Sequence, residues 1–205
     1  MTDPTCGCNR GHRPHGNTGK CRLCWSETLE PDSFPDVPMD PASDPRVSPG
    51  ALVFSEHVTM GTGVRVHGMA SVGSRPFEFV RDEQGVLQGF PRCGDVVLGD
   101  NVEIFPYANV DAGFLGTTEI RQGTKIDHYV HVGHNSLIGE RVVICAGAIV
   151  GGHVEIGDDA FVGINVSLKP RITIGEGAVI GSAANVLSNV PAKEVWVGNP
   201  AKRIR

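Results

Sequence analysis

The densest group of residues that could do chemistry lies near the middle of the chain. Asp127 precedes His128, His131 and His134 follow at intervals of three, and Asn135 comes directly after the last. Neutral imidazole accepts a proton near pH 7 and is also a common metal ligand. Because His128 and His134 are six residues apart, a six-residue repeat places them on neighbouring faces, and we expect a three-histidine metal site only across subunits. For most surface histidines a solvated side chain is the expected state.

A strict six-residue repeat surrounds this group. Its aliphatic residues are Ile120, Ile126, Val132, Ile138, Ile144, Val150, Ile156, Val162, Leu168, Ile174, Ile180 and Val186. A period of six fits neither a lone α-helix nor a simple strand, and it is typical of a β-helix in which each unit is a short strand and a corner. The fold predicted is all-β, a parallel β-helix with about eighteen residues in each three-sided coil and the aliphatic residues inside. The resemblance to known hexapeptide prisms implies a left-handed coil.

Two breaks interrupt the repeat. Before the first break the six-residue spacing also predicts four inward residues, which are Phe54, Met60, Val66 and Val72. The pattern stops over 74–97, resumes at Leu98 and breaks again, more briefly, around 114–118. Long ordered loops in compact domains are usually functional, so we expect the long insertion to contribute to function. A solvated insertion is the alternative.

Composition and charge limit the classes of protein to which this chain can belong. The chain has 205 residues, and its net charge of −5 argues against general nucleic-acid binding, which favours basic surfaces. No apolar stretch approaches about eighteen residues, and the start lacks a secretory-signal pattern, so we expect a cytoplasmic protein without a transmembrane segment. The predicted division is a Cys-rich arm with a Pro-rich linker (1–46), the β-helix with its inserted loop 74–97 (47–190) and a C-terminal tail (191–205).

The N-terminal arm carries a candidate zinc site. Two close pairs of cysteines are separated by twelve residues, and four thiolates in a cytosolic protein suit tetrahedral Zn²⁺ better than disulfides. The predicted ligands are Cys6, Cys8, Cys21 and Cys24. The alternative is a metal-free arm, because the first pair is C-x-C rather than the commoner C-x-x-C.

The segment around the histidines also resembles a known family. The stretch GTKIDHYVHVGHNSLIGERVVICAGAIVGG is similar to the UDP-3-O-acylglucosamine N-acyltransferases of lipid A synthesis. So are VVLGDNVEIFPYANVDAGFLGTTEI and the insertion GSRPFEFVRDEQGVLQGFPRCGDV, and the resemblance covers about 47–190. The tail VPAKEVWVGNPAKRIR instead resembles the closing segment of sugar acetyltransferases that use acetyl-CoA. We expect the Cys-rich arm to replace the family's N-terminal uridine-binding domain, and we expect its C-terminal helices to be absent.

The resemblance implies the chemistry of the site. The family's general base falls on His134 in the motif VGHN, where neutral imidazole would deprotonate an amine that attacks a thioester directly. Asp127 is the candidate to orient the imidazole, with Asp111 a weaker one, and the alternative role of Asp127 is a corner hydrogen bond. Gly152 lies eighteen residues, one coil, beyond His134, so its backbone N–H is the candidate oxyanion donor. The alternative for Gly152 is a corner glycine with no role.

The donor implied by the resemblance is acetyl-CoA, lying along the later coils. The small residues Ser182 and Ala184 would leave room for the pantetheine arm. The cations available for the phosphates of CoA are Lys169, Arg171, Lys193, Lys202 and Arg203. Each of them alone is more often a solvated surface charge.

The function predicted is transfer of an acetyl or longer acyl group from a CoA thioester to the amine of a nucleotide-linked amino sugar. The resemblance implies a homotrimer with its site between adjacent prisms. The close alternative is a UDP-3-O-acylglucosamine N-acyltransferase that uses acyl carrier protein. A third possibility is a metalloenzyme of the same fold, such as a γ-type carbonic anhydrase, but the spacing of the histidines does not match its ligand pattern. A fourth is a non-catalytic assembly domain, which leaves the VGHN motif without a purpose.

Overall fold

Three parallel β-sheets form the sides of a triangular prism. The computed structural model describes residues 44–89 and 94–205. In the regular coils, each turn of the chain adds one two-residue strand to each sheet, and paired residues are eighteen apart, as His131 and Ile149 are. The strands are this short because a corner follows every pair of extended residues. The parallel β-helix predicted from the six-residue period is confirmed.

We call the sheets the first, second and third faces, in the order in which the chain visits them. The first face contains β1 (Leu52–Val53), β4 (Ser71–Ser74), β9 (Asn109–Asp111), β12 (His131–Val132), β15 (Ile149–Val150), β18 (Ser167–Leu168) and β21 (Asn185–Val186). The second contains β2 (Val58–Met60), β7 (Asp95–Leu98), β10 (Thr117–Ile120), β13 (Leu137–Ile138), β16 (Glu155–Ile156) and β19 (Thr173–Ile174). The third contains β3 (Arg65–Val66), β8 (Glu103–Ile104), β11 (Lys125–Ile126), β14 (Val143–Ile144), β17 (Phe161–Val162), β20 (Val179–Ile180), β22 (Val195–Val197) and β23 (Lys202–Arg203). A separate hairpin is formed by β5 (Phe79–Arg81) and β6 (Leu87–Gly89).

The aliphatic residues of the repeat fill the prism axis. Every member of the series from Ile120 to Val186 is at most 3% exposed. The residues two positions before them, such as Thr124 and Val130, are buried as well. Burying an aliphatic side chain is worth about 1.5–3 kcal/mol, so the stacked coils are held by one continuous apolar column. The inward register predicted from Ile120 onward is confirmed.

At the N-terminal end the predicted register is wrong by one residue. Val53 is fully buried, whereas Leu52 is 47% exposed and Phe54 is half-buried. The physical reason is a short 3₁₀ helix, Ser55–His57, which adds one residue between the first and second faces. The inward position therefore moves from Phe54 to Val53, and the six-residue spacing holds again from Met60 onward.

The long break in the repeat contains an antiparallel hairpin and ends earlier than predicted. β5 pairs with β6, and the second face resumes with β7 at Asp95, two residues before the predicted end at 97. Just before that point, a Cβ on Gly94 would overlap the carbonyl oxygens of Gly113 and Gly116, which lie in the second break. Because only glycine fits there, the two breaks are packed tightly against each other.

The C-terminal tail closes the third face. β22 pairs in parallel with β20, and β23 folds back antiparallel on β22. Trp196 packs against the core, and its indole N–H donates to Glu194 Oε2 at 2.8 Å. Across the described ranges, 44–89 and 94–205, no helix is both long and apolar enough to cross a membrane.

Candidate active site

His134 and Gly152 meet at the corner between the first and second faces, which we call the first corner. His134 follows β12 and Gly152 follows β15, and these strands pair in register, so the two residues occupy the same place in consecutive coils. A Cβ built on Gly152 would lie 2.7 Å from His134 Nε2 and 2.9 Å from its Cε1. The edge of the imidazole that carries Nε2 therefore occupies the space that a side chain at Gly152 would fill. The structure brings together the two residues that the eighteen-residue period paired.

The backbone N–H of Gly152 is available for a ligand. Its carbonyl oxygen accepts the N–H of Arg171 at 3.1 Å. Within the part of the chain that the structure describes, the Gly152 N–H donates no hydrogen bond. An unpaired backbone donor beside a base is the arrangement that oxyanion stabilisation requires. Gly152 thus meets the geometric condition for this role, which stays a prediction.

Contacts on two sides hold the imidazole of His134. Its Nδ1 lies 2.9 Å from Asn135 Oδ1. The same oxygen accepts the N–H of Phe114 at 2.8 Å, and the N–H of Asn135 donates to Thr118 Oγ1 at 2.8 Å. The rings of Phe114 and His153 stand edge-on to the imidazole, with centroids 6.5 Å and 5.1 Å away. Because His134 is only half-buried, a substrate can still reach the ring.

Asp127 does not reach His134. It lies at the corner between the third and first faces, where its Oδ1 is 2.7 Å from His128 Nδ1 and its Oδ2 accepts the N–H of Ala146 at 3.0 Å. Burial by itself raises the pKa of Asp127, but the hydrogen bonds from His128 and Ala146 outweigh it and hold the pKa below its ordinary value. Within one chain the structure therefore contradicts Asp127 as the group that orients the base, because its corner is one face away from the first corner.

The residue that contacts His134 Nδ1 is Asn135, an amide in the place where the sequence predicts a carboxylate. Asn135 adopts a φ of 58°, a left-handed conformation that asparagine accepts more readily than most residues. This conformation places its amide beside the preceding side chain. The signal available in the sequence was the asparagine directly after the histidine in VGHN.

The predicted donor-binding residues are divided among different corners. Lys169 and Arg171 lie at the first corner, one coil beyond Gly152, and both are exposed. Ser182 is exposed at the corner between the third and first faces, and Lys193 at the corner between the second and third. Within one chain, only the first two stand in the same column of corners as the candidate base.

Three of the predicted donor-binding residues are engaged within the chain. Ala184 is 1% exposed and offers no surface to a pantetheine arm, because it lies two residues before Val186, in the column that points inward. Lys193 Nζ lies 3.8 Å from Glu176. Arg203 Nε, on β23 beside exposed Lys202, lies 3.1 Å from the carboxylate of Glu194. The Lys193 ion pair is exposed on both sides and therefore weak, whereas the Arg203 pair is exposed only on the arginine side.

Asp111, the weaker candidate to orient His134, lies in a second polar cluster on the first face, one coil before His134. Asp111 is 6% exposed, and its Oδ1 accepts hydrogen bonds from Ser74 Oγ at 3.0 Å and Asn109 Nδ2 at 2.7 Å. Its Oδ2 is 3.7 Å from His131 Nε2. The cluster places a buried carboxylate within one coil of the candidate base.

The predicted zinc ligands lie outside the described residues. Those cysteines are Cys6, Cys8, Cys21 and Cys24. Among residues 44–89 and 94–205, no group of three or more histidine, cysteine, aspartate or glutamate side chains is arranged to hold a metal ion. Within one chain, the three histidines at 128, 131 and 134 therefore form no metal site.

Comparisons with known proteins agree with this fold. Residues 117–152 and 153–187 match the family described as "Bacterial transferase hexapeptide (six repeats)". The chain is 40% identical over 149 residues to UDP-3-O-acylglucosamine N-acyltransferase 2 of Rhodopseudomonas palustris (strain BisB18), covering 73% of this chain and 40% of that protein. It is 37% identical over 146 residues to the UDP-3-O-acylglucosamine N-acyltransferase of Caulobacter sp. (strain K31), covering 71% of this chain and 43% of that one. The chain thus spans less than half the length of these relatives.

Solved structures share the fold at lower identity. The UDP-N-acetylglucosamine acyltransferase from Campylobacter jejuni superposes with a TM-score of 0.64 at 23% identity, covering 77% of this chain and 66% of that one. The acetyltransferase domain of PglB from Neisseria gonorrhoeae superposes with a TM-score of 0.55 at 22% identity, covering 72% and 57%. At these identities the likeness concerns the fold alone.

The fold and the comparisons define a hexapeptide-repeat protein with a left-handed parallel β-helix, as predicted from the sequence. Over that β-helix, the chain resembles the UDP-3-O-acylglucosamine N-acyltransferases.

Proposed function

We propose that the chain is an acyltransferase that moves an acyl group from a thioester to the amine of a nucleotide-linked amino sugar. The observation that carries the proposal is the edge of the His134 imidazole lying over Gly152, whose backbone N–H is unpaired in the described chain, while Nδ1 contacts Asn135. A base and an oxyanion donor side by side suit addition of an amine to a carbonyl carbon.

The reaction follows from these two groups. The amine nitrogen forms a bond to the thioester carbon while His134 Nε2 takes a proton from the nitrogen. The Gly152 N–H donates to the oxyanion of the tetrahedral intermediate. The C–S bond then breaks, the imidazolium returns its proton to the departing sulfur, and an amide and a thiol are released. No covalent enzyme intermediate is required.

The acceptor that we propose is a UDP-linked glucosamine that already carries an acyl group. The support is the pair of relatives at 40% and 37% identity, which are named for UDP-3-O-acylglucosamine. With this acceptor, the donor implied by the family resemblance is an acyl carrier protein with a longer acyl chain. Lys169 and Arg171 are exposed at the first corner, two coils beyond His134, and would attract the phosphate of a pantetheine arm or an acidic carrier.

Acetyl-CoA is the second candidate donor. The observation that favours it is the tail, which resembles that of acetyl-CoA-dependent sugar acetyltransferases and forms β22 and β23 at the end of the third face. Lys202, Arg203 and exposed Ser182 would serve the CoA moiety in this case. They lie away from the first corner, so this candidate requires a second chain to bring them to the base.

We further propose a cytoplasmic homotrimer with the site between adjacent prisms. Two observations support this assembly. The polar residues proposed for the donor lie on different corners of one chain. The third face also exposes apolar side chains, including Val143 at 38% and Phe161 at 41%, which a neighbouring prism would cover. Sedimentation at several concentrations tests the assembly.

The experiment that tests the proposed function is a thiol-release assay on the purified chain. Acetyl-CoA, a long-chain acyl-CoA and a long-chain acyl carrier protein are each paired with UDP-3-O-acylglucosamine and with an unacylated UDP-linked amino sugar. Fast release that depends on the acylated acceptor and the carrier protein is the expected result. Preference for acetyl-CoA would select the second donor. A folded chain without acceptor-dependent release for any pair would instead support the non-catalytic assembly domain.

A further inference from the structure

Asn135 stands between the candidate base and the second break in the repeat. Its Oδ1 is 2.8 Å from the backbone N–H of Phe114 and 2.9 Å from His134 Nδ1. A backbone N–H only donates, so the end of the amide that faces Phe114 must be the oxygen. Which end of this side-chain amide is oxygen and which is nitrogen is thus determined by its partner.

The direction of the amide decides which nitrogen of His134 carries the proton. A carbonyl oxygen accepts and does not donate, so His134 Nδ1 must be the donor. In a neutral imidazole only one nitrogen carries hydrogen, and Nε2 is then left with a free lone pair. Nε2 is the atom that lies over Gly152. The contact with Asn135 therefore selects the proton arrangement that a base at this position needs.

The second break also holds Asn135 through other contacts. Fully buried Thr118 accepts the backbone N–H of Asn135 at its Oγ1, 2.8 Å away, and a Cβ on Gly116 would lie 2.8 Å from Asn135 Nδ2. The break is itself fixed to the start of β7. The N–H of Asp95 donates to Gly116 O at 2.9 Å, and the N–H of Gly113 donates to Asp95 O at 3.1 Å.

We propose that the second break, which in the structure extends from the end of β9 into β10 (residues 112–118), is a positioning element for the candidate base. Through the Phe114 N–H and Thr118 Oγ1 it fixes the amide of Asn135, and Asn135 keeps the proton of His134 on Nδ1. Asn135 is thus a positioning residue that acts through His134. The effect on catalysis rests on the proposed function, whereas the place of the proton does not.

The place of the proton is measured by ¹⁵N NMR of the imidazole nitrogens at a pH where the ring is neutral. The His134 signals are identified by their loss in His134→Gln. We expect a protonated Nδ1 and an unprotonated Nε2 in the wild type. Asn135→Gly keeps the positive φ but removes the amide, and we expect it to give a mixture of the two forms. A proton on Nε2 in the wild type, or unchanged signals in Asn135→Gly, would overturn the proposal.

A matched pair of threonines separates positioning from general stability. Thr118 and Thr124 are both fully buried, and each accepts a backbone N–H from the next coil, from Asn135 and Val142 respectively. Thr→Val removes the same hydroxyl at either site. The Thr124 hydroxyl also donates to Gly139 O at 2.8 Å, so we expect Thr124→Val to lose at least as much stability as Thr118→Val. Only Thr118→Val should change the His134 nitrogen signals. Equal changes in the signals, or none in either variant, would show that the second break does not position the base.

The catalytic consequence is measured in the acyl-transfer assay. Loss of the correct proton arrangement should lower kcat in Asn135→Gly by about tenfold to 10⁴-fold, the upper end being the loss when a catalytic histidine is left in the wrong tautomer. Asn135→Asp keeps the acceptor but adds a negative charge that favours imidazolium, so activity should survive while the acidic limb of the pH–rate profile moves to higher pH.

The other titratable ring against His134 is His153, so the pH profile is repeated with His153→Asn. A pH profile that does not move in Asn135→Asp in either background would contradict the positioning role. A protonated Nδ1 in a chain without acyl transfer would instead leave the positioning intact and refute the proposed function.

Discussion

One added methyl group at Gly152 tests how closely the base and the oxyanion donor must fit. Gly152 has no positive φ, so its backbone accepts alanine, but the new Cβ would lie 2.7 Å from His134 Nε2. Ordinary carbon contacts begin near ~3.5 Å, so the ring must move by about 0.8 Å. A displacement of about 1 Å at a reacting group can cost ~10²-fold, which corresponds to roughly 2.7 kcal/mol of transition-state stabilisation. We expect kcat/KM of Gly152→Ala to fall by about that factor.

Stability should change little in the same variant. Replacing glycine by alanine at a compatible φ stabilises a protein by about 0.4–1 kcal/mol through the unfolded chain, and a displaced rotamer costs about 0.5–1.5 kcal/mol. The thermal midpoint should therefore move by no more than a few degrees. Gly89→Ala is the matched control, because its Cβ would meet nothing closer than 3.4 Å and its φ is not positive.

The double variant with His134→Gln shows whether the loss acts through the imidazole. If it does, adding Gly152→Ala to His134→Gln should slow thiol release by less than about threefold, because the two changes are not additive when they disturb one unit. Gly152→Ala with near-normal turnover, or an equal loss in the His134→Gln background, would refute the packing of His134 over Gly152.

Three further predictions concern the core, the loss of stability at acidic pH and the N-terminal arm. Ile144→Asp puts an unpaired carboxylate at a fully buried position, which costs several kcal/mol; we expect unfolded protein in circular dichroism, and a soluble, cooperative variant would refute the inward register. The hydrogen bond from His67 is the main reason that the pKa of Glu103 lies below its ordinary value. Ionised Glu103 therefore stabilises the fold above about pH 4.3, and this contribution is lost as the pH falls through the lower pKa of the folded state. The urea midpoint of unfolding should drop on acidification, and it should drop less in Glu103→Gln. Deleting residues 1–43 should remove about one zinc per chain and leave a cooperative thermal transition. An intact, anaerobically purified chain without zinc in metal analysis would rule out the site at Cys6, Cys8, Cys21 and Cys24.

The register of the core could be predicted because it depends on a local period alone. Any six-residue unit with one inward aliphatic side chain stacks in the same way, so the inward positions from Ile120 to Val186 follow from the spacing alone. The predicted register is wrong at Phe54, because the 3₁₀ helix at Ser55–His57 adds a residue without leaving a signal in the hydrophobic pattern. Ala184 was misplaced for a related reason. A small residue can line a groove or fill the core, and its position in the repeat decides which of the two it does.

The candidate site was predictable only where the period fixes it. His134 and Gly152 meet because residues eighteen apart stack, which requires no knowledge of side-chain direction. The contact with Asn135 depends on a positive φ and on the path of the second break, and neither follows from a six-residue period. Asp127 shows the converse, since it is close to His134 in sequence but lies at another corner.

The most direct test of the account compares acyl transfer by the wild-type chain and by His134→Gln, with UDP-3-O-acylglucosamine and a long-chain acyl carrier protein at saturating concentrations. The amide product is measured by mass spectrometry and the folded state by thermal unfolding. We predict that the wild type forms the amide and that the variant is slower by about 10²–10⁴-fold, the range for loss of a general base, with an unchanged thermal midpoint. Equal amide formation by both proteins would contradict the central claim that His134 is the base of an acyltransferase.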